Sequence, residues 1–118
     1  KHKLGVISNG LAVKQWEKLI GLGIHHFFDI VTTSDEDGYS KPQKEIFEYS
    51  MKELNLKSKE CVMVGDRLDT DILGGKIAGM ITVLIRTGRR KDMPKSPEET
   101  PDFEIYRISE LLRVLEKI

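Results

Sequence analysis

Apolar positions along the chain fall into short continuous runs separated by longer stretches with helical spacing. Leu4 to Ile7 is an apolar run with β-branched members, closed by the turn signal Ser8-Asn9-Gly10, and predicts a buried strand. Leu11 to Leu22 spaces Val13, Trp16, Leu19 and Ile20 at helical intervals and ends near Gly21 and Gly23; it predicts a helix whose stripe, Trp16 included, faces a core. Phe27 to Thr33 predicts a second strand, and Pro42 to Leu54 a second helix with proline in its first turn. Cys61 to Val64 reads as a third strand and Asp69 to Ala78 as a third helix, stopped at Gly79. Met80 to Ile85 is continuously apolar, as in a strand covered on both faces. Residues 87–102 hold three of the four prolines and read as a surface loop, followed by an edge strand from Phe103 to Ile105. A last helix is expected over Ser109 to Lys117, with leucines at 111, 112 and 115. Strand and helix alternate throughout, which predicts an α/β fold with a doubly wound, Rossmann-like parallel sheet. In such sheets ligands bind beyond the carboxyl ends of the strands.

A chain of 118 residues can bury one core but not two, so it reads as a single domain. Lysine plus arginine equals aspartate plus glutamate at 19 each, which provides no overall basic field for nucleic acid or an anionic membrane. The longest apolar runs, such as Ile81 to Ile85, fall far short of the roughly 20 residues that cross a bilayer. The amino terminus lacks the apolar region and small-residue cleavage site of a secretory signal. With Cys61 the only cysteine, no internal disulfide is possible, which fits a reducing cytoplasm. The chain starts without methionine and is almost at once in a strand-like run, as expected of a piece of something longer.

Three polar clusters fall where strands end. Ser8-Asn9-Gly10 sets a hydroxyl beside backbone N–H groups at a helix start, a place to hold a phosphate oxygen; taken alone, an ordinary capped turn is the plainer explanation. Lys41 precedes Pro42 at the end of a second such loop and could bring fixed positive charge to an anion; a solvated lysine is the plainer alternative. The third, Val62-Met63-Val64-Gly65-Asp66-Arg67-Leu68-Asp69-Thr70-Asp71, delivers three carboxylates within six residues of a strand end. Mg²⁺ takes one or two carboxylates and fills its other positions with water and substrate phosphate, so a metal site is expected here. Acids in a first helical turn also complement the helix dipole, which explains one or two of the three.

The order Ser-Asn-Gly, then Lys-Pro, then Gly-Asp-Arg-Leu-Asp-Thr-Asp resembles motifs two, three and four of the haloacid dehalogenase (HAD) superfamily of phosphohydrolases. The stretch from Gly65 to Gly79 is similar to its small-molecule phosphatases, including those like N-acylneuraminate-9-phosphatase, and the resemblance runs from Leu4 to about Gly88. It implies that Ser8 hydrogen-bonds the transferring phosphoryl group, that the Asn9 backbone N–H and Gly10 help to bind it, and that Lys41 neutralises its charge. It implies Asp66 and Asp71 as the Mg²⁺ pair, with Asp69, off the family spacing, a surface or capping acid. The implied partner is a small phosphorylated metabolite. Phosphoryl transfer depends mainly on charge neutralisation and in-line positioning, which such residues supply.

The family's first motif, an apolar strand followed by Asp-x-Asp, carries the nucleophile and lies upstream of the Ser motif; no such strand precedes Ser8 here. The HAD-type core is therefore expected to lack its first strand, the cap domain and the nucleophile. The chain alone is expected to be inactive, with two strand edges completed by an upstream segment or by self-association. Asp35-Glu36-Asp37-Gly38 has the Asp-x-Asp form but follows the Ser motif and reads as a decoy. Two rivals stand beside the phosphatase: a non-catalytic module with this fold, and haloacid dehalogenation, which needs no metal and leaves Asp66 and Asp71 without work. His25-His26 reads as a turn, Cys61 as a small buried residue, and the basic run from Arg86 to Lys91 as a solvated loop.

Overall fold

The structure, a computed structural model, describes residues 2–87 and 92–118. Its contacts gather into two compact units, Lys1–Lys57 and Ser58–Ile118, where the sequence reads as one domain.

In the first unit β1 (Gly5–Ser8) pairs in parallel with β2 (Ile30–Thr33), Gly5 opposite Ile30 and Ser8 opposite Thr33. Between them runs α1 (Ala12–Gly21) and a 3₁₀ turn, His25–Phe27. The second strand is shorter than its apolar run predicts, because the Asp29 carboxylate and N–H both bind the Leu4 backbone and the ladder begins only beyond them. A short α2 (Ser34–Asp37) follows β2, and α3 (Lys44–Glu53) packs Ile46, Phe47 and Met51 against the sheet as its buried stripe. Pro42 is not in this helix. Gln43 N–H donates to the Ser40 carbonyl at 2.8 Å, so Lys41 and Pro42, joined by a cis peptide, are the middle of a turn and the helix starts two residues later. Trp16 is also not core: its exposure is 38%, and of α1 only Leu19 is buried. Val13 and Ile20 of the same stripe are exposed as well.

In the second unit the order is β3 (Val62–Gly65), β4 (Ile81–Ile85), β5 (Phe103–Ile105), all parallel. The central β4 is the most buried, with Val83 at 0% and Leu84 at 1% exposure, and β5 is an edge as predicted. Between β3 and β4 the chain makes one π turn, Leu68–Ile72, and continues as α4 (Leu73–Ile77), ending at Gly79 with φ of 84°. The last helix, α5 (Leu111–Glu116), turns Val114 inward onto Val83 and Ile105, while Leu112 faces out. Among the described residues β1 pairs only with β2, and β3 only with β4, so each keeps one edge without a ladder.

Asp102 ties this unit together. Its carboxylate accepts the Lys76 ammonium at 2.8 Å and both the N–H (2.8 Å) and hydroxyl (3.1 Å) of fully buried Thr82. Burial pushes the Asp102 carboxyl up, but Lys76 and the two Thr82 donors outweigh it and hold the group below its ordinary value of 3.8. A lowered folded value means stability present above that pH and lost as pH falls through the folded value. The unfolding midpoint should therefore drop as the solution is acidified below about pH 4, less steeply in Asp102→Asn. Asp102→Ala, which leaves the Thr82 donors buried without this acceptor, should cost about 1–3 kcal/mol in denaturant unfolding.

Candidate active site

At the end of β1 the Gly10 N–H donates to Ser8 Oγ at 3.0 Å. This turn engages a lone pair of the hydroxyl and leaves its hydrogen as the donor that Ser8 could offer an anion. The Gly10 N–H, read from sequence as facing a phosphate, is used within the turn. Asn9 reaches across to the turn that carries Lys41: its Oδ1 accepts the Lys41 N–H at 2.7 Å and its Nδ2 donates to the Lys41 carbonyl at 3.1 Å. Sequence reasoning gave Asn9 only a backbone role, and a partner 32 residues away leaves no local signal.

Asp35 has a structural task. Both its oxygens accept the Ala12 N–H, at 2.9 and 3.0 Å, supplying the acceptor that the α1 N-cap, Leu11, cannot. That bond first, and the Thr33 hydroxyl second, hold its carboxyl below the usual carboxylate range. A carboxylate so engaged at a helix start is not placed as a nucleophile, and Asp35→Asn should leave the turnover of the complete protein within about twofold in a steady-state assay, a change that general-base or nucleophile loss would far exceed.

In the second unit the acids stand on a loop fixed from below. Leu68 and Ile72 of the π turn pack on Leu84 of β4 and anchor it. Single π turns inside helices recur at functional sites. Asp66 follows β3, is exposed, and accepts the Thr87 hydroxyl at 3.3 Å. Asp71 is buried, at 5% exposure, and accepts the Arg67 N–H at 3.2 Å. Gly65 ends β3 with a φ that is not positive, so a left-handed turn is not what requires a glycine there. The need is for room: a Cβ there would overlap the Asp71 side chain, which folds back against the strand end beside Asp66. Asp69 forms a fork with Arg67, at 3.1 Å to Nε and 3.0 Å to the second nitrogen, and this bond raises the Arg67 pKa. Both side chains are about half exposed, so the pair fits the surface role expected of Asp69.

Two carboxylates at one strand end are a hard-oxygen donor set of the kind that suits Mg²⁺, an ion that fills its other positions with water and phosphate. Among the described residues no group of three or more His, Cys, Asp or Glu gathers as a metal cluster. His25 and His26 pack edge to face in their turn. Burial first, then the nearby Glu60 charge, pushes the Cys61 thiol up, as in an unreactive cysteine. Arg86 pairs with Glu104 at 3.1 Å and donates to the Asp92 carbonyl at 2.7 Å; Arg89, Arg90 and Lys91 lie outside the described residues. Ser8, Asn9, Gly10 and Lys41 thus belong to the first unit, Asp66 and Asp71 to the second.

The HAD-hydrolase-like family matches residues 38–111, a span that contains Lys41, Asp66 and Asp71. The chain belongs to the HAD-like hydrolases. Glyceraldehyde 3-phosphate phosphatase of Methanopyrus kandleri is 54% identical over 117 residues, 98% of this chain and 50% of that protein. A HAD phosphatase from Thermococcus onnurineus superposes with a TM-score of 0.85 at 35% identity, over 97% of this chain and 50% of that one. The Bacillus subtilis protein YfnB, in a structure bound to magnesium, gives 0.87 at 30% identity, over 98% and 50%. The chain spans about half the length of the curated relatives it matches. Its fold is the α/β fold of these HAD structures, and no helix among the described residues is long and apolar enough to cross a membrane.

Proposed function

We propose that this chain is the carboxyl-terminal part of a Mg²⁺-dependent cytoplasmic phosphatase that hydrolyses a small phosphomonoester through an aspartyl-phosphate intermediate. The nucleophilic aspartate of that reaction lies outside these 118 residues. The observation that carries the reading is the strand-end turn in which Gly65 leaves room for buried Asp71 beside exposed Asp66. Bound there, Mg²⁺ would supply charge neutralisation to a phosphate oxygen. The rest falls to the chain's own groups: Ser8 donates a hydrogen bond to the phosphoryl group, and Lys41 offsets its charge as it is transferred. The names of the relatives support glyceraldehyde 3-phosphate as the first substrate to try, and the magnesium in YfnB supports the choice of ion.

A three-part assay tests the reading. The complete protein should release phosphate from glyceraldehyde 3-phosphate in Mg²⁺, and release no chloride from chloroacetate. The 118-residue chain alone should hydrolyse no aryl phosphate. Aryl-phosphate turnover by the chain alone, abolished by Asp66→Asn, would place a nucleophile within these residues and contradict the reading as stated.

A further inference from the structure

The Asn9 side chain and the Lys41 backbone are joined at both polar atoms of each. Oδ1 takes the Lys41 N–H at 2.7 Å, and Nδ2 gives a hydrogen bond to the Lys41 carbonyl at 3.1 Å. Only a side-chain amide can do this: a carboxylate has no donor for the carbonyl, and a hydroxyl is too short to span both groups of one residue. The clamp closes on a turn that is otherwise held at its ends, where Gln43 Oε1 accepts the Ser40 N–H at 2.9 Å and Gln43 N–H donates to the Ser40 carbonyl at 2.8 Å. Those bonds fix the entry and exit of the turn, and Asn9 fixes its middle. On the other side Asn9 follows Ser8 directly, and Ser8 Oγ is itself oriented by the Gly10 N–H. One residue therefore links the backbone that presents the serine hydroxyl to the backbone that presents the lysine.

We infer that Asn9 is a positioning residue, whose side-chain amide sets the Lys41 peptide in register with Ser8 so that hydroxyl and ammonium meet the same phosphoryl group. This rests on the phosphatase reading, in which Lys41 balances charge during transfer. Asn9 is exposed, so its side chain adds these two hydrogen bonds rather than core packing. A lysine side chain is long and flexible, and its charge is useful to a transition state only if its backbone root is fixed; displacement by about 1 Å can cost on the order of 100-fold in rate.

The test uses the complete protein as wild type, Asn9→Ala, Lys41→Ala and the double variant, with amide hydrogen exchange at Lys41 and steady-state hydrolysis of an aryl phosphate. Asn9→Ala should speed Lys41 amide exchange by about tenfold or more while other β1 and α3 amides keep their rates. It should lower kcat by about 10- to 100-fold with KM changed less. The double variant should be no slower than Lys41→Ala alone, because Asn9 acts through Lys41. Unchanged Lys41 exchange, an unchanged kcat in Asn9→Ala, or fully additive losses would each overturn the positioning role while leaving the phosphatase reading intact. Full activity in Lys41→Ala would instead remove the reading on which the inference stands, and the inference with it.

Discussion

Asp66→Asn should reduce Mg²⁺-dependent phosphate release by the complete protein by about 1000-fold, with the fold unchanged. The residue stands at the carboxyl end of β3, exposed, and bonded to Thr87 at 3.3 Å through one carboxylate oxygen. Replacing it leaves the anchoring cluster of Leu68, Ile72 and Leu84 untouched, so thermal unfolding should barely move. What changes is charge. An amide keeps the shape but gives up the negative charge that holds a hard dication, and losing one such preorganised electrostatic group costs about 100- to 1000-fold, more where a metal is lost with it. Steady-state turnover over a Mg²⁺ series separates the two contributions: weaker binding shifts the activation curve, whereas lost transition-state stabilisation lowers its plateau.

The second large effect comes from a residue with no side chain. Gly65→Val should lower stability by about 1–3 kcal/mol and raise the Mg²⁺ needed for half-maximal activity by about 10- to 100-fold. The added Cβ would occupy the space of the Asp71 side chain, which is buried and cannot retreat into solvent without leaving the Arg67 N–H that it accepts. Either the strand end or the π turn must shift, and each carries one of the two acids. Gly65→Ala should show the same changes in smaller measure. Calorimetric Mg²⁺ titration beside denaturant unfolding checks both, and a normal Mg²⁺ curve in Gly65→Val would mean that Asp71 has no part in holding the ion.

Elements written in continuous apolar runs were readable from sequence. Phe103–Ile105 is a strand at the residues expected, and Met80 to Ile85 differs from β4 by one residue. The failures occurred where a side chain or a distant partner overrides local preference. Pro42 is a good first helical residue, but Ser40 and Gln43 close a turn around it. Phe27 and Phe28 look like strand, yet the Asp29 bonds to Leu4 delay the ladder until Ile30. Trp16 has the right spacing for a core stripe, and spacing alone does not say whether anything covers it. At the site, a strand-end glycine followed by three acids is a local pattern that marks the turn, and the resemblance to the HAD motifs is what singled out Asp66 and Asp71 among them. The reason for the glycine, the Asn9 clamp on Lys41 and the Thr87 hydroxyl on Asp66 are all contacts between residues five or more apart, which a linear pattern does not contain.

The most direct measurement is hydrolysis of glyceraldehyde 3-phosphate by the complete protein after thorough chelation, then with Mg²⁺ restored, for wild type and Asp66→Asn side by side. The structure's acid turn predicts that chelation abolishes turnover, that Mg²⁺ restores it in the wild type, and that the same Mg²⁺ restores almost nothing in Asp66→Asn. Turnover that survives chelation, or an Asp66→Asn protein that recovers fully, would contradict the assignment of this strand end as the metal site of a phosphatase.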